Sequence, residues 1–456
     1  MTQQLTIDEA GIAELRGSFS GELLLPGDDG YEVARKIHNG MIDRRPALIA
    51  RCLGASDIVE AVNFARSHNL EIAVRGGGHN AAGTAVCDDG MMIDLSLMKG
   101  VLVDRDRRTA RAQGGVTWRE FNRETQLHGL ATTGGFISTT GLAGLTLGGG
   151  LGWLMSKYGL SVDNLLSVEI VTAAGEVVTA SAAEHPDLFW GLRGGGGNFG
   201  VAASFEFQLH PVGPVVSGIA AHPLDKAVDV LRFFREFTAN LPDELMMWSG
   251  LLHAPDGSGL PIAALVVCHC GSPTEAAAAV RPVKEFGAPI MDVIGPASYS
   301  ATNMMLDDGF PKGAMNYWKS NFLSELSDAA IETLVDKFST CPSPMSGIVL
   351  EHFHGAATRI GVTDTAFPHR QPGYNMLIVS EWMDGSETDM NIAWARETYA
   401  AMQPYMASGR YMNYIGAEGE DPVPEAYGPN YERLRSIKRK YDPTNLFHRN
   451  QNISPG

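Results

Sequence analysis

Apolar positions along the first half of the chain switch between helical and strand spacing. In residues 56–70 (SDIVEAVNFARSHNL), Ile58, Val62 and Ala65 share one helical face, and Ser56 stands where a cap is expected. Residues 71–74 read as a short strand and residues 90–98 as a second. Thr117 and Glu120 have capping-box spacing ahead of a helix that stops at Gly129. Residues 165–181 hold two β-rich runs around Ala174 and Gly175, a hairpin pattern, and residues 201–210 alternate as another strand.

After residue 213 the helical stretches lengthen, to residues 225–241, 273–287, 327–339 and 389–405. Strand-like runs such as LPIAALVVCHC and SGIVLEHFHG sit between them. This predicts a second α+β domain over 214–406. The tail begins with YMNYIG and continues into a basic helix that Asp442-Pro443 stops. Its Arg433, Arg435, Lys438, Arg439 and Lys440 read as a solvated face.

Composition narrows the class. With 456 residues, 44% of them hydrophobic, the chain has material for two domains with real cores. A formal charge of −17 disfavours nucleic acid and anionic membranes as partners. The start, MTQQLTIDEAGIAELRGS, has acidic residues and no apolar block, unlike a secretory leader, and no apolar stretch is long enough to span a bilayer. Five scattered cysteines (Cys52, Cys87, Cys268, Cys270 and Cys341) argue against a disulfide framework and for a cytoplasmic location. Strand alternation points His269 away from Cys268 and Cys270, so that cluster reads as buried strand and no metal site is expected.

Glycine supplies the candidate chemistry. Three clusters stand out: AVRGGGHNAAG, TGGFISTTGLAGLTLGGGLGWL and LRGGGGNFGV. Successive glycine N–H groups make anion-binding concavities. The third cluster fits G-x-G-x-x-G literally, but a strand follows it where a nicotinamide-binding unit needs a helix. Three clusters in β-rich surroundings suggest one long dinucleotide laid across several loops.

Six blocks in order, VRGGGHNAAG, TGLAGLTLGGGLGWLMSKYGLSVDNLLSVEIVTAAGEV, HPDLFWGLRGGGGNFGV, TAFPHR, YMNY and YDPTNLFHRNQNI, resemble those of the berberine-bridge-enzyme-like FAD-linked oxidases. These belong to the vanillyl-alcohol-oxidase, or p-cresol-methylhydroxylase-type, flavoproteins. The chain looks closest to bacterial members, the flavin oxygenase of the enterocin pathway among them. The resemblance implies an α+β, two-domain FAD-binding fold. FAD would lie in residues 1–213 and 407–456, and an α+β substrate-binding domain would span 214–406.

By motif, His79 would bond covalently to the flavin 8α-methyl carbon, which becomes electrophilic on losing a proton and suits a neutral imidazole as nucleophile. Gly76, Gly77 and Gly78 would wrap the diphosphate, with Arg75, Asn80 and Gly83 beside them. The second block implies contacts through Thr139, Thr140, Gly141, Gly148, Gly149, Gly150 and Gly152. Tyr158, Gly159, Leu160 and Asn164 follow, then Val201, and Asn413 and Asn450 in the tail. Relatives often carry a second, cysteinyl attachment. Here Ile137 and Ser138 occupy that point, so one histidyl link and no cysteinyl link is expected. Thr140 would border the dioxygen side of the flavin.

Oxidising a C–H bond beside oxygen or nitrogen needs a hydride acceptor and a group to take the heteroatom proton. The resemblance implies Tyr411 as that base. Relatives support it with a lysine and a glutamine, whereas this chain has Asn375 and Leu377 at about those places. Glu351, Glu381, His352 and His354 are alternatives, and strand alternation puts Glu351 on one face and both histidines on the other. Three functions stay open: an oxidase of a small alcohol, amine or phenolic substrate that makes hydrogen peroxide, an oxygenase of a secondary metabolite, and a non-catalytic flavin-binding protein. Met304, Met305, Tyr317 and Trp318 are candidate cavity residues. The expected partners are a small-molecule substrate and dioxygen, with the chain a monomer or homodimer.

Overall fold

A computed structural model describes residues 9–416 and 423–456. The first eight residues of the N-terminal stretch lie outside the described residues.

Two sheets are built mainly from the N-terminal half. In the first, strand Met91–Asp94 lies parallel between Leu48–Arg51 and Ile72–Arg75, and Glu22–Leu24 adds an antiparallel edge. The second is antiparallel, in the order Val101–Asp104, Thr109–Gln113, Val201–Gln208, Leu165–Val171, Val177–Ser181. It contains the expected hairpin, Leu165–Val171 with Val177–Ser181. Helix Trp118–Thr125 carries the expected capping box, and Gly129 closes the following turn at φ 64°. Helix Ala55–Ser67 buries Ile58, Val62 and Ala65 but starts one residue before Ser56. Ser56 is therefore not the cap. Asp57, facing back, accepts the N–H groups of Ser20 and Leu53.

The third sheet is antiparallel and larger. Its main order is Met291–Asp292, Val215–Pro223, Pro261–His269, Leu245–His253, Gly347–Phe353, Gly373–Trp382, Met315–Leu323, and Gly295–Ala297 adds to Val215–Pro223. Period-two alternation divides it into two faces. Ile348, Leu350, Met376, Ile378 and Trp382 pack into one core with residues of the helices Ala227–Thr238, Pro273–Glu285, Asp328–Phe338 and Thr388–Met402. Val349, Glu351, Leu377 and Val379 face a cavity instead. His352 and His354 stack on each other at 4.4 Å, and His352 lies beside Tyr374 and Phe234 of the helical side. The alternation argument therefore holds for Glu351 and His352.

The tail helix Tyr431–Tyr441 departs from the solvated reading. Lys438 is fully buried, and its ammonium donates to Asp442 at 2.6 Å and to the carbonyls of Asn198 and Phe447. Asp442 in turn accepts the N–H groups of Leu446 and Phe447. This knot ties the C-terminal segment to the third glycine cluster. Arg433 lies over the Trp190 ring, while Lys440 and Arg435 make exposed ion pairs. Lys438→Ala, which strands a buried carboxylate, is expected to cost about 3–5 kcal/mol. Chemical denaturation of the holoprotein checks this, with exposed Lys440→Ala as a control expected to change stability by less than about 1 kcal/mol.

Candidate active site

Strand Ile72–Arg75 runs straight into Gly76, Gly77 and Gly78, the last at φ 69°, and the turn delivers His79. The opposing wall is the turn around Thr140 and Gly141. A Cβ on Gly77 would fall on the backbone nitrogen of Gly141, and one on Gly141 on the backbone of Gly77. Glycine is required at both positions because the two backbones touch.

A cavity of about 860 Å³ opens along this seam. It runs from the glycine turns to the third sheet, so residues far apart in sequence share its wall. Gly76, Gly77, Gly78, His79, Asn80, Thr140, Gly141, Asn413 and Asn450 all line it. Ile137 also lines it, and no cysteine does among the described residues. Of the four candidate cavity residues, Met305 and Trp318 are in the wall. Met304 is 41% exposed, and Tyr317 packs on the helical side of the sheet.

Other expected site residues stand behind the wall. Arg75 binds Asp94 at 2.8 Å and the carbonyl of Ala34, bracing the loop before the site. Gly83 packs against Ile42, Gly149 against Phe367 and Gly150 against Ser161, while Gly152 abuts Gly134. Gly148 meets the Asn413 side chain, which binds the Leu145 carbonyl. Asn164 donates to the carbonyls of Tyr158 and Leu160, and Tyr158 stacks on His210. Gly159 supplies a positive φ of 77°. Val201 is buried in the core beneath the first sheet, with its neighbours Gly200 and Ala202 facing the cavity.

Tyr411, expected as the base, does not face the cavity. It is fully buried, and its hydroxyl oxygen accepts the N–H groups of Gly150 and Leu151 and a bond from Asn413. Burial pushes the phenol up to about 12, further from the range of a base at neutral pH. Its hydroxyl oxygen holds the backbone at Gly150 and Leu151, within the second glycine cluster.

Glu351 does face the cavity, 3% exposed. One carboxylate oxygen accepts from Asn375 at 2.6 Å and the other from Tyr414 at 2.9 Å. Burial raises the carboxyl to about 7, opposed by these two donors. The sequence reading missed Tyr414, although the YMNY block contains it. The 3₁₀ turn Met412–Tyr414 carries it onto the cavity side, where it meets Tyr411 edge-on at 4.8 Å. Glu381 is also buried and raised, to about 8, but is not part of the cavity wall. Around Glu351 the wall is apolar, with Trp318, Val349, Leu377 and Val379. The only cationic Lys or Arg in the described wall is Arg449, which pairs with Glu71 beside the first sheet.

The residues present fit FAD. A Cβ on Gly144 would meet no protein atom within 4 Å, so this glycine leaves cavity space for a ligand. The side-chain oxygen of Asn450, also in the wall, is buried without a hydrogen-bond partner.

Comparison with known proteins supplies the family. Residues 46–181 match the family model of the FAD binding domain, and residues 410–454 the model described as berberine and berberine like. An FAD-linked oxidoreductase of Dictyostelium discoideum is 30% identical over 97% of each chain. The (R)-6-hydroxynicotine oxidase of Paenarthrobacter nicotinovorans is 31% identical over 96% of this chain and 97% of its own. Among solved structures, 6-hydroxy-D-nicotine oxidase from Arthrobacter nicotinovorans superposes with a TM-score of 0.88 at 31% identity, covering 96% of this chain and 99% of the other. Physcomitrella patens BBE-like 1 shares the fold, with a TM-score of 0.86 at 23% identity over 96% and 97% of the two chains.

Cavity, glycine turns and relatives together define an FAD-dependent oxidoreductase of the p-cresol-methylhydroxylase type. The chain belongs to the berberine-bridge-enzyme-like family of FAD-linked oxidoreductases. This decides against a non-catalytic flavin-binding protein. Among the described residues no helix is long and apolar enough to cross a membrane.

Glu351 also leaves a mark on stability. A carboxyl raised in the folded state contributes most below its ordinary value of 4.5, and that contribution is lost as pH rises to about 7. Thermal melts should therefore show Glu351→Gln gaining about 2–3 kcal/mol relative to wild type between acidic conditions and about pH 8.

Proposed function

We propose an oxidase that carries FAD through a single covalent link to His79 and oxidises a small organic substrate with dioxygen, releasing hydrogen peroxide. The observation that carries this reading is Glu351, a carboxyl poised near neutral pH in an apolar wall of the cavity that the glycine turns and His79 share. Bound FAD supplies a two-electron acceptor that dioxygen reoxidises.

The chain's own residues do the rest. Gly76, Gly77 and Gly78 let the backbone approach the diphosphate. Asn413 and Asn450 offer side-chain amides along the cofactor. Trp318, Val349, Leu377 and Val379 favour a substrate with an apolar body and exclude water from the reacting end. Glu351 takes the proton from the substrate's hydroxyl or amine, while Tyr414 and Asn375 keep its carboxylate oriented. Thr140 offers a hydroxyl from the wall beside the glycine contact, the side assigned to dioxygen. His79 is a neutral nucleophile, since burial, and then His38, push its imidazole down to about 3. Ile137 in the wall leaves no thiol for a second link.

Acid precipitation followed by intact mass tests the attachment. Wild type should keep the mass of one FAD, and His79→Ala should release all its flavin. A panel of apolar alcohols, amines and phenols in labelled dioxygen tests the reaction. Label should leave as hydrogen peroxide, whereas label in the product would establish an oxygenase instead. Glu351→Gln should lower kcat/KM by about 10²–10⁴-fold. It should also abolish the wild-type fall in rate below about pH 7, where the carboxylate is lost.

A further inference from the structure

His38 has so far entered only as a neighbour that helps lower the His79 imidazole, and backbone hydrogen bonds fix its place. It follows the short helix Tyr31–Ala34. Its N–H donates to the carbonyl of Gly78 at 2.9 Å, and its own carbonyl accepts the N–H of Gly313, also at 2.9 Å. The next residue, Asn39, donates to the carbonyls of Ala81 and Asn316. The segment is therefore clamped between the glycine turn and the third sheet. The His38 ring lies face to face on His79, with centroids 3.8 Å apart and planes at 22°. Its Nε2 is buried without a hydrogen-bond partner, so what the ring offers His79 is its flat face. At its edge the His79 ring meets the Thr139 hydroxyl, 3.1 Å from Nε2.

Both rings line a second cavity of about 590 Å³ behind the glycine turn, whose charged residues are Lys36, Arg51, Arg75, Lys99 and Lys312. The carboxylates nearby are taken: Asp43 by Lys36, Glu22 by Arg51, Asp94 by Arg75 and Arg51, and Glu120 by Lys99. Among the described residues no carboxylate pairs with either imidazole. A proton on one ring would be opposed by any on the other and by the surrounding cations.

We propose that His38 is a positioning residue for flavin attachment: its ring face fixes the plane of the His79 imidazole for attack on the flavin 8α carbon. The proposal rests on the covalent reading above. In that step His79 gives a ring electron pair to the 8α carbon, from which one methyl proton has left. The imidazole N–H proton also leaves. The two electrons gained by the flavin pass to dioxygen, so one C–H and one N–H are exchanged for a C–N bond and one hydrogen peroxide. Burial, then Lys312, lowers the His38 imidazole to about 4, which suits a partner that stays neutral throughout.

The test uses full-length chain made by cell-free synthesis, with FAD added under air and the adduct followed by intact mass and acid-stable flavin fluorescence between about pH 5 and 9. Wild type is compared with His38→Leu, which fills the space without a flat face, and His38→Phe, which restores the face without nitrogens. His38→Leu should bind FAD that acid releases, and should form the adduct about tenfold more slowly or worse. His38→Phe should stay within about threefold of wild type across the range, well short of the loss that misplacement brings. A Leu variant as fast as wild type overturns the proposal, and so does a Phe variant as slow as Leu, which would mean that a nitrogen matters and the face does not. An unmodified wild-type mass overturns the attachment reading and this proposal together, whereas a wild-type adduct with an unaffected Leu variant overturns this proposal alone.

Discussion

The contact between Gly77 and Gly141 is the constraint on which the site depends. Two backbones meet where neither has room for a Cβ. One belongs to the turn that carries His79, the other to the turn that carries Thr139 and Thr140. Closing that seam puts the Thr139 hydroxyl beside the His79 ring and sets both turns in one cavity wall. Side chains at either glycine would separate the turns, and the imidazole would lose its fixed place relative to the rest of the wall.

The third sheet supplies the other half of the chemistry through a division of faces. Its helical face is mostly hydrophobic core. Its cavity face is nearly as apolar but interrupted by one carboxyl, Glu351. Burial in such a wall is unfavourable for the charged form, and two hydrogen bonds from Asn375 and Tyr414 only partly offset this. The result is a carboxyl raised to about 7, built without a nearby cation. Tyr411 shows the opposite outcome. Its hydroxyl oxygen accepts from two backbone N–H groups and Asn413, so it stabilises a turn behind the cavity wall.

Much of this was legible in the chain. The glycine clusters, the capping box at Thr117, the hairpin around Gly175 and the opposite facing of Glu351 and His352 all depend on local spacing, which sequence states directly. So did the family, because six ordered blocks leave little room for coincidence. The less legible features were those set by distant partners. Lys438 sits in a run of basic residues that looks solvated, and only its packing against Asn198, Asp442 and Phe447 makes it a buried knot.

By itself the sequence determined the cofactor class, the histidine that ends the first glycine run and the absence of a thiol at Ile137, since these are properties of residue types in a motif. Tertiary structure decided which acid faces the reacting space, because whether Tyr411 or Glu351 acts there depends on what else competes for their oxygens. It also decided that His38 and His79 stack. The two residues are 41 positions apart, and nothing in either local pattern foretells a face-to-face pair. Local spacing governs which way a side chain points along its own element. Only the closing of the fold determines what it meets.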